Sequence, residues 1–198
     1  MPKRLVASYG GWHNADGIQI RMGIDMSDVF HGCFFCRSGQ EKDVVQRFEM
    51  ALPEGKAMFP TRSRIRRKGD IATEDIVPLL PGYVFFEVTH DDVEDELSRL
   101  LRTDSILRLL RYSDGRWQLM SSDEQFAALL FETGGHIGIS QVFFDEGKKI
   151  RIISGFLKNY EGSINRINKK TRTVEVQIDL QGKKTFLWLG YELVEPIQ

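Results

Sequence analysis

At 198 residues and 22.8 kDa, the chain can build one domain or two small ones around an apolar core without disulfides, which excludes a peptide, a disulfide-knotted miniprotein and a large multidomain enzyme. Hydrophobic residues make up 41% and charged residues 28%, with 13 Phe and 3 Trp, a balance that disordered chains lack. A formal net charge of −1 argues against coating nucleic acid by bulk electrostatics, yet residues 146–198 carry ten Lys/Arg against six Asp/Glu, leaving −5 on the rest, so the two parts are suited to different partners.

The most apolar stretch, Ile76 to Val88, is broken by Pro78, Pro81 and Gly82, and the N-terminus lacks the apolar segment of a signal peptide. The reading is a cytoplasmic protein that does not enter a membrane. Residues 1–30 lack sustained apolar periodicity and read as a flexible N-terminal extension whose first 25 residues are expected to be dispensable, Met26 being a natural start; the alternative is that Ile18, Ile20 and Met22 add an edge strand to the sheet. His31 to Arg37 reads as a strand, Ser38-Gly39 as a turn, and Gln40 to Leu52 as an amphipathic helix with Val44, Val45, Phe48 and Leu52 at helical spacing. Ala57 to Arg66 is extended, Lys68-Gly69-Asp70 is a turn, and Val84 to Val88 is a strand. Asp91 to Arg102 is a second helix, with acids crowding its start where the dipole favours them. Ile106 to Leu110 and Trp117 to Met120 are strands, and Ser122-Asp123-Glu124-Gln125 is a capping-box pattern opening a third helix that stops at Gly134-Gly135.

Residues 136–146 read as a linker. From Lys148 onward come five short alternating segments separated by Gly155, Gly162, Asn168-Lys169-Lys170, Gln181-Gly182 and Gly190. So short a sheet buries a core and hides its edges only by curling on itself, so residues 147–196 read as a small β-barrel. The fold class is α+β: an α/β sandwich of antiparallel sheet and helices over residues 31–135, then a five-stranded barrel.

Cys33 and Cys36 form a C-x-x-C, but within an aromatic strand-like run their side chains face opposite sides, and no second pair or H-x-x-x-H spacing completes a zinc site. They read as structural. There is no Walker loop, no G-x-S-x-G and no His-rich metal pattern. The expectation is a protein that is not an enzyme and needs neither cofactor nor metal.

Five of the seven residues 62–68 are cations: Arg62, Arg64, Arg66, Arg67 and Lys68. Such a run either protects a solvated strand edge or faces phosphate, and its self-repulsion favours nucleic acid. Tyr83 and Phe85 share one strand face, and with Phe35 they are either core or an exposed patch. Val84 and Phe86 already suffice for the inward face, which favours the patch.

Two segments carry a family resemblance. Met58-Phe59-Pro60, the arginines after it and PLLPGYVFFEV (78–88) are similar to a pattern of the NusG family of transcription elongation factors. EGKKIRIISGFLKNYEGSINRINKKTRTVEVQI (146–178) resembles that family's KOW motif. The wording PLLPGYVFFE and CRSGQE (36–41) resembles the specialised LoaP-type and RfaH-type antiterminators most. The resemblance implies an NGN domain and an SH3-like KOW barrel in a monomeric transcription antitermination factor. It places Phe35, Tyr83 and Phe85 on the clamp helices of the largest RNA polymerase subunit, and Arg37 and Gln40 near the non-template DNA strand, although Asp43 stands where the RfaH-type branch has a basic residue. It gives the barrel, with Lys169, Lys170 and Arg172, to nascent RNA, a ribosomal protein or Rho. The family's Gly-Pro-Phe turn is Gly155-Phe156-Leu157 here, and its aromatic-Gly turn is Leu180-Gln181-Gly182. The rival reading is a KOW-type RNA-binding protein of the translation apparatus.

Overall fold

The computed structural model describes residues 29–68, 71–90 and 92–195. All but the last two residues of the expected extension lie outside these, as do Gly69, Asp70 and Asp91.

The first module is a four-stranded sheet in the order β2-β5-β1-β6, made of β1 (Phe30–Cys36), β2 (Lys56–Met58), β5 (Tyr83–Val88) and β6 (Ile106–Leu109). β1 lies antiparallel to β5, with Phe34 opposite Val84 and Phe35 opposite Tyr83. Alternation then sends Phe34, Cys36, Val84, Phe86 and Val88 to one face, where α1 (Glu41–Ala51) and α2 (Glu94–Leu100) cover them with Val44, Phe48 and Leu97. Gly32 belongs to this face because the Phe86 ring lies directly on its backbone, and an added Cβ would come within 2.1 Å of that ring. Cys33, Phe35, Tyr83 and Phe85 point the other way, toward α3 (Ser122–Glu132). The helices fall where the periodicity predicts them, but the capping-box reading fails: Ser121 is the N-cap, in the left-handed region at φ 56°, and makes no side-chain cap bond. Residues 117–120 form no strand and instead run beside β1, with the Leu119 N–H donating to the His31 carbonyl.

β3 (Thr61–Lys68) and β4 (Ile71–Pro78) form a hairpin that joins the short parallel strand β7 (His136–Ile137). β4 escaped prediction because it is exposed along most of its length and so lacks the half-buried alternation by which strands are recognised.

The barrel module comprises β8 (Ser140–Phe144), β9 (Ile150–Ser154), β10 (Ile164–Asn168), β11 (Thr173–Leu180) and β12 (Lys183–Leu193), in the order β10-β11-β12-β8-β9. The segment expected to be linker therefore supplies two strands, and β8 runs parallel to the end of β12 with Tyr191 opposite Ser140. The last of the expected short segments, beyond Gly190, is in part the end of the long β12. A 3-10 segment, Phe156–Ser163, connects β9 to β10 and buries Phe156 and Leu157. Gly155 makes that corner possible: its φ is +93°, and a Cβ there would lie 2.8 Å from the Ser140 backbone.

The two modules share one core. Phe85 meets Phe126 of α3 edge-on at 5.8 Å, and Phe126 in turn meets Phe156 of the barrel at 6.4 Å. Asp123, on the same helix and buried, accepts hydrogen bonds from the Tyr112 hydroxyl and, across the junction, from the Gln181 N–H at 2.9 Å. Among the described residues no helix is long and apolar enough to cross a membrane.

Candidate functional site

The aromatic patch expected from Phe35, Tyr83 and Phe85 is only partly open. Phe85 is fully buried beneath α3, so the expectation that it forms an exposed docking surface is corrected. The sheet is covered on both faces, the circumstance that makes a strand's second aromatic face core. Phe35 and Tyr83 are half-buried and meet edge-on at 5.1 Å, with the Arg108 guanidinium 5.2 Å above the Phe35 ring. Tyr83 also borders a cleft of about 350 Å³ whose opposite wall is the β11–β12 turn, including Gln181 and Lys183.

Glu41 positions this edge, a role no pattern in the sequence announces. Its buried carboxylate accepts from the Gly39 N–H at 2.7 Å and the Gly82 N–H at 2.8 Å, tying the turn before α1 to the Pro-Gly-Tyr turn before β5. Arg37 and Gln40 lie on that first turn and are exposed. Gln40 borders a shallow cleft with Asp43, Arg47, Arg102 and Asp104, and Asp43 accepts a bond from Arg47 at 2.8 Å.

The arginine ridge lies on β3. Arg62 and Arg64 are half-buried and Arg66 is exposed; Arg67 and Lys68 continue the strand, and their side chains lie outside the described residues. Asp75 on β4 accepts from both Arg64, at 3.4 Å, and Arg66, at 2.9 Å. Nη1 of Arg62 and Nε of Arg64 are buried without a hydrogen-bond partner. Burial, and secondarily the charge of Arg64, depresses the Arg62 pKa. Lys170 and Arg172, in the β10–β11 turn, border the same groove as Arg64 and Arg66. Lys169 does not: its ammonium sits 4.6 Å over the Phe144 ring. The structure thus joins two of the predicted basic groups and leaves Arg37 and Gln40 apart from them.

His136 opens the segment expected to be linker and is the first residue of β7. Its Nδ1 lies 3.0 Å from Thr61 Oγ1 and its Nε2 3.0 Å from Ser63 Oγ. One hydroxyl accepts from the protonated ring nitrogen and the other donates to the bare one. Ser63 is 1% exposed and no carboxylate among the described residues hydrogen-bonds to the imidazole, so the trio reads as a polar seam holding β7 to β3. Burial raises both thiols, Cys36 to about 11, so neither is a nucleophile near neutral pH. Among the described residues no three His, Cys, Asp or Glu side chains gather to hold a metal ion.

A sheet module covered by helices on both faces, with a basic hairpin, continued into a small five-stranded barrel, defines a two-module α+β protein. Residues 33–129 match the family model described as transcription termination factor nusG. Over 123 residues the chain is 23% identical to the transcription termination/antitermination protein NusG of Borreliella burgdorferi and 27% identical to that of Thermus thermophilus. Each match covers 59% of this chain, and respectively 67% and 66% of the relative, so the chain spans about two thirds of the length of these proteins. A solved structure of Thermotoga maritima NusG is similar at 17% identity and a TM-score of 0.45, covering 82% of this chain and 93% of that one. The family model over residues 33–129 and the two named relatives support a transcription factor of the NusG family.

Proposed function

We propose that the protein is a non-catalytic elongation and antitermination factor that docks on RNA polymerase through its first module and contacts nucleic acid through its basic surfaces. The observation that carries the first part is the half-buried Phe35–Tyr83 pair at the rim of the sheet, an aromatic edge flanked by Arg108. Aromatic and arginine side chains in partly desolvated positions are the usual anchors of protein interfaces. The names of the relatives, transcription termination/antitermination proteins, support the same reading. Partner binding by the barrel, whether RNA or a protein, belongs to this proposal.

Co-purification with core RNA polymerase tests it. The wild-type chain is expected to bring polymerase with it, and Tyr83→Ala to weaken that association by about 2 kcal/mol, a typical aromatic hot spot, with little change in melting temperature. Co-sedimentation with ribosomes in the absence of polymerase binding would favour the translation-associated reading and overturn this one.

A further inference from the structure

We propose that β3 and the β10–β11 turn together form one binding groove for a nucleic-acid phosphodiester backbone, shared between the two modules, in place of two independent basic patches. The proposal rests on the nucleic-acid reading above and names the site that performs it. Arg64, Ile65 and Arg66 form one wall and Lys170, Thr171 and Arg172 the other, around a volume of about 350 Å³. Four cations face one carboxylate, Asp75, whose Oδ2 is already shared by Arg64 and Arg66.

The site is built, and its donors are incompletely used. Buried guanidinium donors without acceptors are costly, and Arg64 Nε in the groove wall and Arg62 Nη1, two residues before it on the same strand face and outside the groove's lining, are both in that condition. An anionic oxygen would relieve the cost, and it would offset the burial and, secondarily, the repulsion from Arg64 that depress Arg62. Arg62, Arg64 and Arg66 repeat about every 6.6 Å along the strand, on the order of the step between successive phosphates of an extended single strand. This periodicity favours a polyanionic strand over a single free anion.

The opposite wall is preorganised. Asn168 Oδ1 accepts from the N–H groups of Lys170 and Thr171, each at 3.1 Å. Arg172 adopts the left-handed region at φ 51°, and its carbonyl accepts from the Tyr191 N–H at 2.9 Å. The spacing between the walls is set by Gly190 of β12, which sits against β3: a Cβ at 190 would lie 3.2 Å from the Ser63 carbonyl oxygen and 2.4 Å from Ile139. The groove therefore exists only while the barrel rests on β3.

The test titrates the full chain with labelled hexanucleotides, one arm DNA and one arm RNA, at several salt concentrations. The expected result is one hexamer per chain. Arg64→Ala with Arg66→Ala, and separately Lys170→Ala with Arg172→Ala, should each weaken that single event about tenfold and flatten the log Kd against log [salt] slope by about 1.4, two phosphate contacts at the single-strand value. Gly190→Val keeps every cation but pries the walls apart, and it should weaken binding comparably while still unfolding cooperatively. Unequal affinity in the two arms identifies which nucleic acid the groove takes; equal affinity supports pure backbone recognition. Two hexamers per chain, each lost with one pair of substitutions, would overturn the shared groove but keep nucleic-acid binding. Equally tight binding of a poly-glutamate peptide would replace the nucleic-acid strand with an acidic protein partner. No binding in either arm would sink the nucleic-acid reading itself.

Discussion

The two faces of the first sheet contain similar side chains but are closed by different means. On one, Phe34, Phe86 and Trp117 are sealed by α1 and α2, with the Phe48 ring tilted against Phe86 at 4.9 Å, all from the first module. On the other, Cys33 and Phe85 lie under Phe126, which is itself capped by Phe156 from the barrel. The first face is a conventional core. The second depends on a helix near the end of the module and on a second module beyond it, so it is the face whose cover can be loosened without dismantling the fold.

Substitutions on opposite faces of β5 test this contrast most strongly. Phe86→Ala should destabilise the protein by about 3–5 kcal/mol, the usual loss for a buried aromatic. Phe85→Ala should cost a similar amount in thermal or urea unfolding if the second face is equally part of the core. A loss below about 1 kcal/mol at Phe85 would mean that α3 covers this face only loosely, returning Phe85 to the docking surface.

A smaller effect is expected at the junction. Asp123→Ala removes the acceptor of the Tyr112 hydroxyl and of the Gln181 N–H, leaving two donors in a mostly buried place at a cost of about 1–3 kcal/mol. Because one of the two bonds crosses between modules, the barrel should also separate from the sheet. Rotational correlation times from NMR relaxation should then differ between the modules, whereas a single correlation time is expected for the wild-type chain. Identical correlation times in the variant would show that the apolar contacts alone hold the junction.

Much of this was legible from the sequence wherever burial is half-sided. The 3.6-residue spacing of Val44 and Phe48 and the alternation in Val84–Val88 mark their elements because one side of each meets the core. β4 is exposed along most of its length and showed no such signal. Residues 140–144 read as linker because their strand pairing is with β9 and with the distant end of β12, a long-range parallel contact that no local pattern encodes. The site divides along the same line. The arginines of β3 and the lysines of the barrel turn were visible as residue types, but their convergence on one groove, the diversion of Lys169 onto Phe144 and the burial of Phe85 follow from how the modules pack. Glu41 carries no sequence signal of its role, since only the approach of Gly82 gives its carboxylate a second partner.

The two thiols offer the finest probe, because they report on opposite faces. Cys33 lies with Phe85 and Cys36 with Phe34, and burial raises both, Cys36 to about 11. A thiol kept neutral in the folded state contributes stability that is fully present below its unfolded pKa, about 8.5, and is lost as pH rises toward the folded value. Between pH 8 and pH 9.5, unfolding free energy should therefore fall by about 1 kcal/mol per thiol, and Cys→Ser at either position should remove its share of that slope. Tyr112 and Tyr160, each raised to about 12 by burial first of all, add to the decline only at higher pH. Loosening the junction with Asp123→Ala should make Cys33, and not Cys36, react faster with a thiol reagent, since only the second face opens. Equal acceleration of both thiols would mean that the whole sheet module unfolds together and that its two faces are not separately opened.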